Sequence, residues 1–268
     1  MAKIEDPIEF ELFKNAIFAI GDEMAVTICR TTYSGVLRDN MDFSTALADA
    51  NGKMVAQGLT LPGHLGSIPA ALAVVVERFE GDIGPGDMFI LNDPFDGGMH
   101  LPDIFIFQPL FHEGKRVAFA ATISHHSDVG GRVPGSNASD STEIYQEGLR
   151  IPPLKLFEGG KRNETMWSLI EKNVRIPIQV LGDLRAQLAA CHIAETQFAE
   201  LLRRYGLEKV DIYMEEVIDY AERLTRAAIA ELPDGEWSFE DWIDDDGIDL
   251  DRPIRLFVKI TKSGEEMV

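Results

Sequence analysis

Residues 92–103 read NDPFDGGMHLPD, and residues 124–131 read SHHSDVGG. These two segments hold three of the chain's six histidines, His100, His125 and His126, together with Asp93, Asp96, Asp103 and Asp128. Glycines among them let backbone approach backbone. His100 and Asp103 stand three apart and His125 ends a later apolar run, so two imidazoles and a carboxylate could meet on one divalent cation. A site of two histidines and one carboxylate leaves positions open for water or substrate, the arrangement of a catalytic rather than a structural metal. The same residue types also collect in loops because Asp caps turns and helices, and spacing alone leaves both readings open.

Few elements are needed to position these groups. Apolar runs at 104–111 and 117–124, joined by His112, Glu113, Gly114 and Lys115, predict a β-hairpin. Antiparallel pairing then brings His100, Asp103 and His125 to its open end without any long-range assumption. A strand over 88–91, after the break at Gly84, Pro85 and Gly86, leads into Asn92. Upstream, residues 43–48 and 53–57 flank Asn51 and Gly52, a hairpin turn pair.

Asp6, Pro7 and Glu9 mark a helix start with a capping box, followed by Phe10, Phe13, Ile17, Ile20, Met24 and Ile28 at helical spacing. Ser67 is placed to cap a helix over 68–79. Residues 126–150 form a loop too long for a mere connection, the length of a lid or binding segment. Beyond an extended piece at 151–157, helices are expected over 164–172, 178–205 and 212–232, with Gly206 as a stop and Asp211 as a cap. The last two are expected to form an antiparallel helical hairpin. Strands at 237–243 and 254–260 flank the acidic run 244–251, which lacks the full calcium-loop pattern and reads as a solvated turn. The predicted class is α+β: mixed β-hairpins and sheet with packed helices and a helical hairpin in the C-terminal third.

The 268 residues suffice for a substantial core, as one large domain or two small ones. A net charge of -20 disfavours nucleic acid and anionic membrane surfaces as partners. Neither a leader pattern nor an apolar run of membrane-spanning length is visible, which reads as a cytoplasmic protein. Cys29 and Cys191 both fall on apolar-patterned helices, where a buried inert thiol is expected.

His64, in LPGHLGS, is either a core or capping histidine or a substrate-binding group. Arg38 and Asp42 either orient substrate or form a local ion pair. Glu143, Tyr145, Gln146, Glu147 and Arg150 suit polar substrate recognition or a plain exposed loop. No phosphate-binding G-x-x-x-x-G-K-[ST] and no G-x-S-x-G elbow occurs, so ATP binding by this chain and acyl-enzyme chemistry are unsupported.

These two segments, with RDNMDFS at 38–44, LPGHLGSIP at 61–69, TEIYQEGLRIPPLKL at 142–156 and GDLRAQLAAC at 182–191, resemble the hydantoinase B and oxoprolinase family. That family includes the metal-binding subunit of acetone and acetophenone carboxylases. The resemblance implies a B-type subunit of an ATP-dependent enzyme opening hydantoins, N-methylhydantoins, lactams or 5-oxoproline, with ATP handled by an A-type partner. It places the metal, manganese, iron, zinc or cobalt, on His100, Asp103 and His125. His126 and Asp128 become catalytic candidates that orient a ligand or move a proton, and His64, Glu143, Tyr145 and Arg150 candidates for substrate binding.

Family members extend further, so the chain is expected to be the N-terminal portion of such a domain. Its parts would be a mixed metal-site region at about 1–160, a helical part at 161–235 and the start of a β region at 236–268. A ketone carboxylase subunit, a non-catalytic scaffold and an unrelated non-haem iron oxygenase are the alternatives.

Overall fold

The computed structural model describes residue 4 and residues 6–268. Strands β1 (Phe43–Asp49), β2 (Met54–Gln57), β3 (Met88–Leu91), β4 (Asp103–His112), β5 (Lys115–His125), β6 (Leu154–Glu158) and β7 (Lys161–Arg162) form one sheet. Its order is β2-β1-β5-β4-β3-β6-β7 and every pairing is antiparallel. The β4–β5 hairpin is central. Pairing runs from Asp103 opposite His125 to His112 opposite Lys115, so the turn is tighter than the four residues expected. Only Glu113 and Gly114 remain in it, both at positive φ (48° and 78°), the backbone that two-residue hairpins need to match strand twist.

Side chains alternate across this sheet. Phe105, Phe107, Phe119, Ala121 and Ile123 join one core, with α3 (Ser67–Arg78) laid over it. Ile104, Ile106, Ala118 and Ala120 join the other, with α1 (Pro7–Thr31) and α5 (Pro177–Tyr205). Burial on both faces explains why β4 and β5 read as nearly continuous apolar runs.

Asp6 caps α1, its Oδ1 accepting from the N–H of Ile8 and Glu9. Only the Asp6 half of the expected capping box forms, because the Glu9 carboxylate turns to a tertiary contact. Glu9 accepts from Lys209 Nζ at 2.8 Å and Tyr213 OH at 2.9 Å, joining α1 to α6 (Leu207–Ala230). Two expected caps are corrected. Ser67 is the first residue of α3 rather than its cap, and its hydroxyl donates to the His64 carbonyl. Asp211 lies inside α6, which starts straight after Gly206, whose φ of 78° lets one residue separate two long helices. The C-terminal third is helical as expected, but the long partner of α5 is α1 rather than α6. The short α2 (Gly35–Arg38) and α4 (Glu164–Asn173) complete the helices among the described residues.

A second sheet, order β10-β9-β8, contains β8 (Gly235–Ile243), β9 (Ile254–Ser263) and β10 (Glu266–Met267). It exposes Trp237, Phe239, Trp242, Leu256, Phe257 and Val258. In the acidic turn between β8 and β9, Asp245 and Asp246 accept backbone N–H bonds from Gly247, Ile248 and Asp249, the behaviour of a solvated turn.

Helix α1 comes against the β1–β2 hairpin at Gly21, where a Cβ would stand 2.8 Å from the backbone carbon of Gln57 and 2.8 Å from the nitrogen of Gly58. Backbone cannot give way cheaply. Gly21→Ala should therefore lower stability by about 1–3 kcal/mol, the usual cost of overpacking. Gly66→Ala, where a Cβ meets open space, should be close to neutral. Urea denaturation of both variants tests the pair.

Candidate metal centre

Three chain segments end together at one edge of the central sheet. Asp103 opens β4, His125 closes β5 opposite it, and Asp42 precedes β1, where its carbonyl accepts the His125 N–H at 3.0 Å. His100 joins from the preceding loop, which is folded back so that its carbonyl accepts the Asp103 N–H. Each of His100, Asp103 and His125 offers a ligand atom, all within 4.8 Å of one another. His100 Nδ1 lies 2.6 Å from one Asp103 oxygen and His125 Nδ1 3.3 Å from the other.

Both Asp103 oxygens are buried, and imidazole nitrogens are their close polar neighbours: His100 Nδ1 beside one, His125 Nδ1 and His64 Nε2 beside the other. Buried carboxylate oxygens are normally claimed by donors or a cation. Burial pushes the Asp103 carboxyl up, but the close His100 and His125 rings more than offset this and hold it at about 2. Contact with Asp103 in turn raises the pKa of His100 against the effect of burial. A buried anion flanked by two imidazoles fits a divalent cation of borderline softness.

His64, buried at the base of α3, borders this trio. Its Nε2 lies 3.4 Å from Asp42 and 3.8 Å from Asp103, and its Nδ1 lies 3.4 Å from the Ser44 hydroxyl. Burial lowers its pKa despite the two carboxylates, which favours the neutral ring. Arg38 does not pair with Asp42; it pairs with Asp39 at the surface, which leaves Asp42 facing His64.

His126 is placed differently from His125. Alternation, carried one residue past β5, turns its ring to the opposite face, where it is fully buried and its Nε2 donates to Gln187 Oε1 of α5 at 3.0 Å. Asp128 is equally committed. It accepts from the backbone N–H of Gly130, Gly135 and Arg175 and from the Arg175 guanidinium at 2.9 Å. Neither side chain joins the trio. Burial would raise the Asp128 pKa, but these donors reverse the effect and lower it.

The long loop is pinned rather than free. Leu149 N–H donates to the Val129 carbonyl and Arg132 N–H to that of Gln146. Asn92, fully buried, ties the loop to the metal segment: its amide nitrogen donates to Leu101 and Leu149 carbonyls, and its oxygen accepts from Ile151 N–H. Arg150 Nε donates to Asp93 at 2.5 Å with the guanidinium over the Phe95 ring. Tyr145 and Glu143 are exposed on this loop.

Sequence reasoning passed over Gln187 and Asp183. Both sit on the core-facing stripe of α5, among Val180, Leu184, Cys191 and Ala194, and a polar residue in an apolar stripe was the available signal. Asp183 accepts from Thr32 and from the N–H of Tyr33 and Ser34 beyond the end of α1. Cys191 is buried, with its thiol pushed up to about 12 by burial, and Cys29 is half-buried; both are free.

Residues 6–268 match the family model described as hydantoinase B/oxoprolinase. The chain is 38% identical over 242 residues to the beta chain of the caprolactamase of Pseudomonas jessenii, covering 90% of this chain and 42% of that protein. It is 32% identical over 268 residues to the B component of a putative D-/L-hydantoinase of a Pseudomonas strain, covering 96% and 45%. The crystal structure of the ATP-dependent caprolactamase from P. jessenii superposes with a TM-score of 0.90 at 34% identity, over 99% of this chain and 46% of that one. An acetone carboxylase structure shares the fold, with a TM-score of 0.91 at 20% identity, over 97% of this chain and 36% of that one. The chain thus spans less than half the length of these relatives.

The Asp128 clamp yields a stability prediction. A carboxyl whose pKa falls on folding adds stability above its unfolded value of about 3.9, and that contribution is lost as pH falls through the folded value. Asp128→Asn should cost about 1–3 kcal/mol near pH 7, and the gap to the parent should close in acid. Urea titrations at pH 7 and at about pH 3 measure both quantities.

Proposed function

Because this chain belongs to the hydantoinase B/oxoprolinase family, we propose that it is the B-type part of an ATP-dependent enzyme that hydrolyses cyclic amides. The substrates would be hydantoins, N-methylhydantoins, lactams or 5-oxoproline. The observation that carries this reading is the convergence of His100 and His125 on the buried Asp103 carboxylate. It is supported by similarity to components of a caprolactamase and a putative hydantoinase over most of the chain.

In this reading the trio holds manganese, iron, zinc or cobalt, and the neutral His64 and the Asp42 carboxylate face the same edge. A divalent cation there supplies Lewis acidity toward a carbonyl oxygen or an acidified water. Glu143, Tyr145 and Arg150, on a loop stapled to the metal segment by Asn92, form the polar wall that meets substrate. Arg150 arrives pre-oriented by Asp93 and Phe95, which reduces the entropy lost on binding. Asp128 holds the root of that loop. His126 and Asp128 act by holding the scaffold rather than by moving protons, since the His126 ring is closed into the core against the Gln187 amide and Asp128 is engaged by Arg175 and backbone N–H groups.

The A-type partner binds ATP and activates the amide, in keeping with the missing phosphate-binding motif in this chain. In calorimetry the chain alone should show no stoichiometric heat with Mg-ATP. A tight signal would place nucleotide handling here and reverse the division of labour.

In the complete enzyme, His100→Ala and Asp103→Ala should remove bound metal and ring-opening turnover while leaving the assembly of the enzyme intact. His126→Ala should weaken metal affinity or activity by roughly 10- to 100-fold, the range typical of a residue behind the ligands. Elemental analysis, size-exclusion chromatography and amide-hydrolysis assays on the three variants give the comparison. Full turnover in the His100 and Asp103 variants would make the trio structural.

A further inference from the structure

The hydrogen bonds of Gln187 converge on the two strands that deliver metal ligands. Its side chain is completely buried on α5. Its Nε2 donates to the Ile104 carbonyl at 2.9 Å and lies 3.3 Å from the Thr122 hydroxyl, and its Oε1 takes the His126 Nε2 at 3.0 Å. Ile104 directly follows Asp103, and His126 directly follows His125. One amide thus grips the residue after each of two candidate ligands, one on β4 and one just past β5, from the sheet face opposite the ligands themselves.

We infer that Gln187 is a positioning residue for the metal centre, fixing the Asp103-to-His125 separation by clamping Ile104 and His126. The inference rests on the metal-centre reading above.

Gln187 occupies a slot that Val180, Leu184, Cys191 and Ala194 fill with apolar side chains along the same stripe. A buried amide in such a slot must have its partners or incur a desolvation cost, so it tolerates few geometries. That intolerance is useful beneath a metal site, where outer contacts set the orientation of the ligands. A second bond closes the arrangement: His126 N–H donates to the Pro102 carbonyl at 2.8 Å, so the residues on either side of Asp103, Pro102 and Ile104, are both linked to the His126–Gln187 pair.

The alternative is that Gln187 merely fills the core. Thr122 separates the two. It touches Gln187 on the same buried face, but its own position is three residues from His125 and next to no ligand. The test compares the parent protein with Gln187→Met and Thr122→Val, measuring Co(II) affinity by competition with a chelator, the Co(II) visible absorption spectrum and thermal midpoints.

Gln187→Met should weaken Co(II) binding roughly 10- to 100-fold and alter the ligand-field bands, whereas Thr122→Val should lower the midpoint yet keep affinity within about twofold and the spectrum unchanged. Should Gln187→Met fail to fold, Gln187→Asn, which keeps the amide but withdraws it by one methylene, is expected to show the same weakening. Parent-like affinity and spectrum in the Gln187 variant would overturn the inference. So would equal weakening in the Thr122 variant at a matched loss of midpoint. A parent that binds no Co(II) would instead remove the metal-centre reading itself, and this inference with it.

Discussion

Successive residues of an extended strand face opposite sides of a sheet, and the pair His125–His126 lies where that rule has its largest consequence. His125 faces the α3 side with Asp103 and His64, while His126 faces α5. The same alternation sets Asp103 against Ile104 and Asp42 against Phe43: in each case a polar group belongs to the site and its neighbour to the core under α1 and α5. A one-residue slip of β4 against β5 would exchange these roles and bury the wrong histidine. The tight turn at Glu113 and Gly114 and the irregularity between Leu110 and Phe111, which offsets the pairing by one residue, together set the register that reaches Asp103 and His125. The chemistry at one end of the hairpin therefore depends on backbone geometry at the other.

Much of this was legible in the sequence because it is local. The hairpin and the convergence of His100, Asp103 and His125 follow from two apolar runs and a turn, which need no knowledge of what packs above or below. The helix beginning at Pro7 and the strand entering Asn92 were legible for the same reason. What escaped is tertiary. Ser67 and Asp211 have cap chemistry, but the helices start where the chain leaves Gly66 and Gly206, so a favourable residue type at a plausible offset was not decisive. Glu9 was matched to its own helix terminus, whereas Lys209 and Tyr213, some two hundred residues away, offer a better partner. The α5–α1 pairing could not be seen either, since an amphipathic pattern says that a face is buried and not against what.

Polar residues in core positions show the same limit from the other side. His126 and Asp128 drew attention because they stand in a dense motif, yet their side chains turn to Gln187 and Arg175 rather than to the trio. Gln187 and Asp183 lie in a helix that reads as scaffold, and only the fold reveals that they reach the sheet and the end of α1. A motif identifies a neighbourhood; burial and alternation decide which members of it face the chemistry. The loop at 126–150 follows this too. Its length suggested a lid or binding segment, and Asp128, Arg175 and Asn92 fasten it to α5's N-terminal approach and to the 92–103 segment.

Asp103 carries a buried carboxylate whose close polar neighbours are imidazoles. Two apolar cores, one on each face of the β4–β5 hairpin, set its position. Contact with that carboxylate raises the pKa of His100, which favours a proton on its ring. A proton on His100 and a metal ion on its ring nitrogen are mutually exclusive, because both need the same lone pair. The scaffold thus creates an anion that must be neutralised and offers two competing ways of doing it. Asp128 is closed by backbone and guanidinium donors, whereas Asp103 stands between imidazoles, a donor set that would suit a divalent cation.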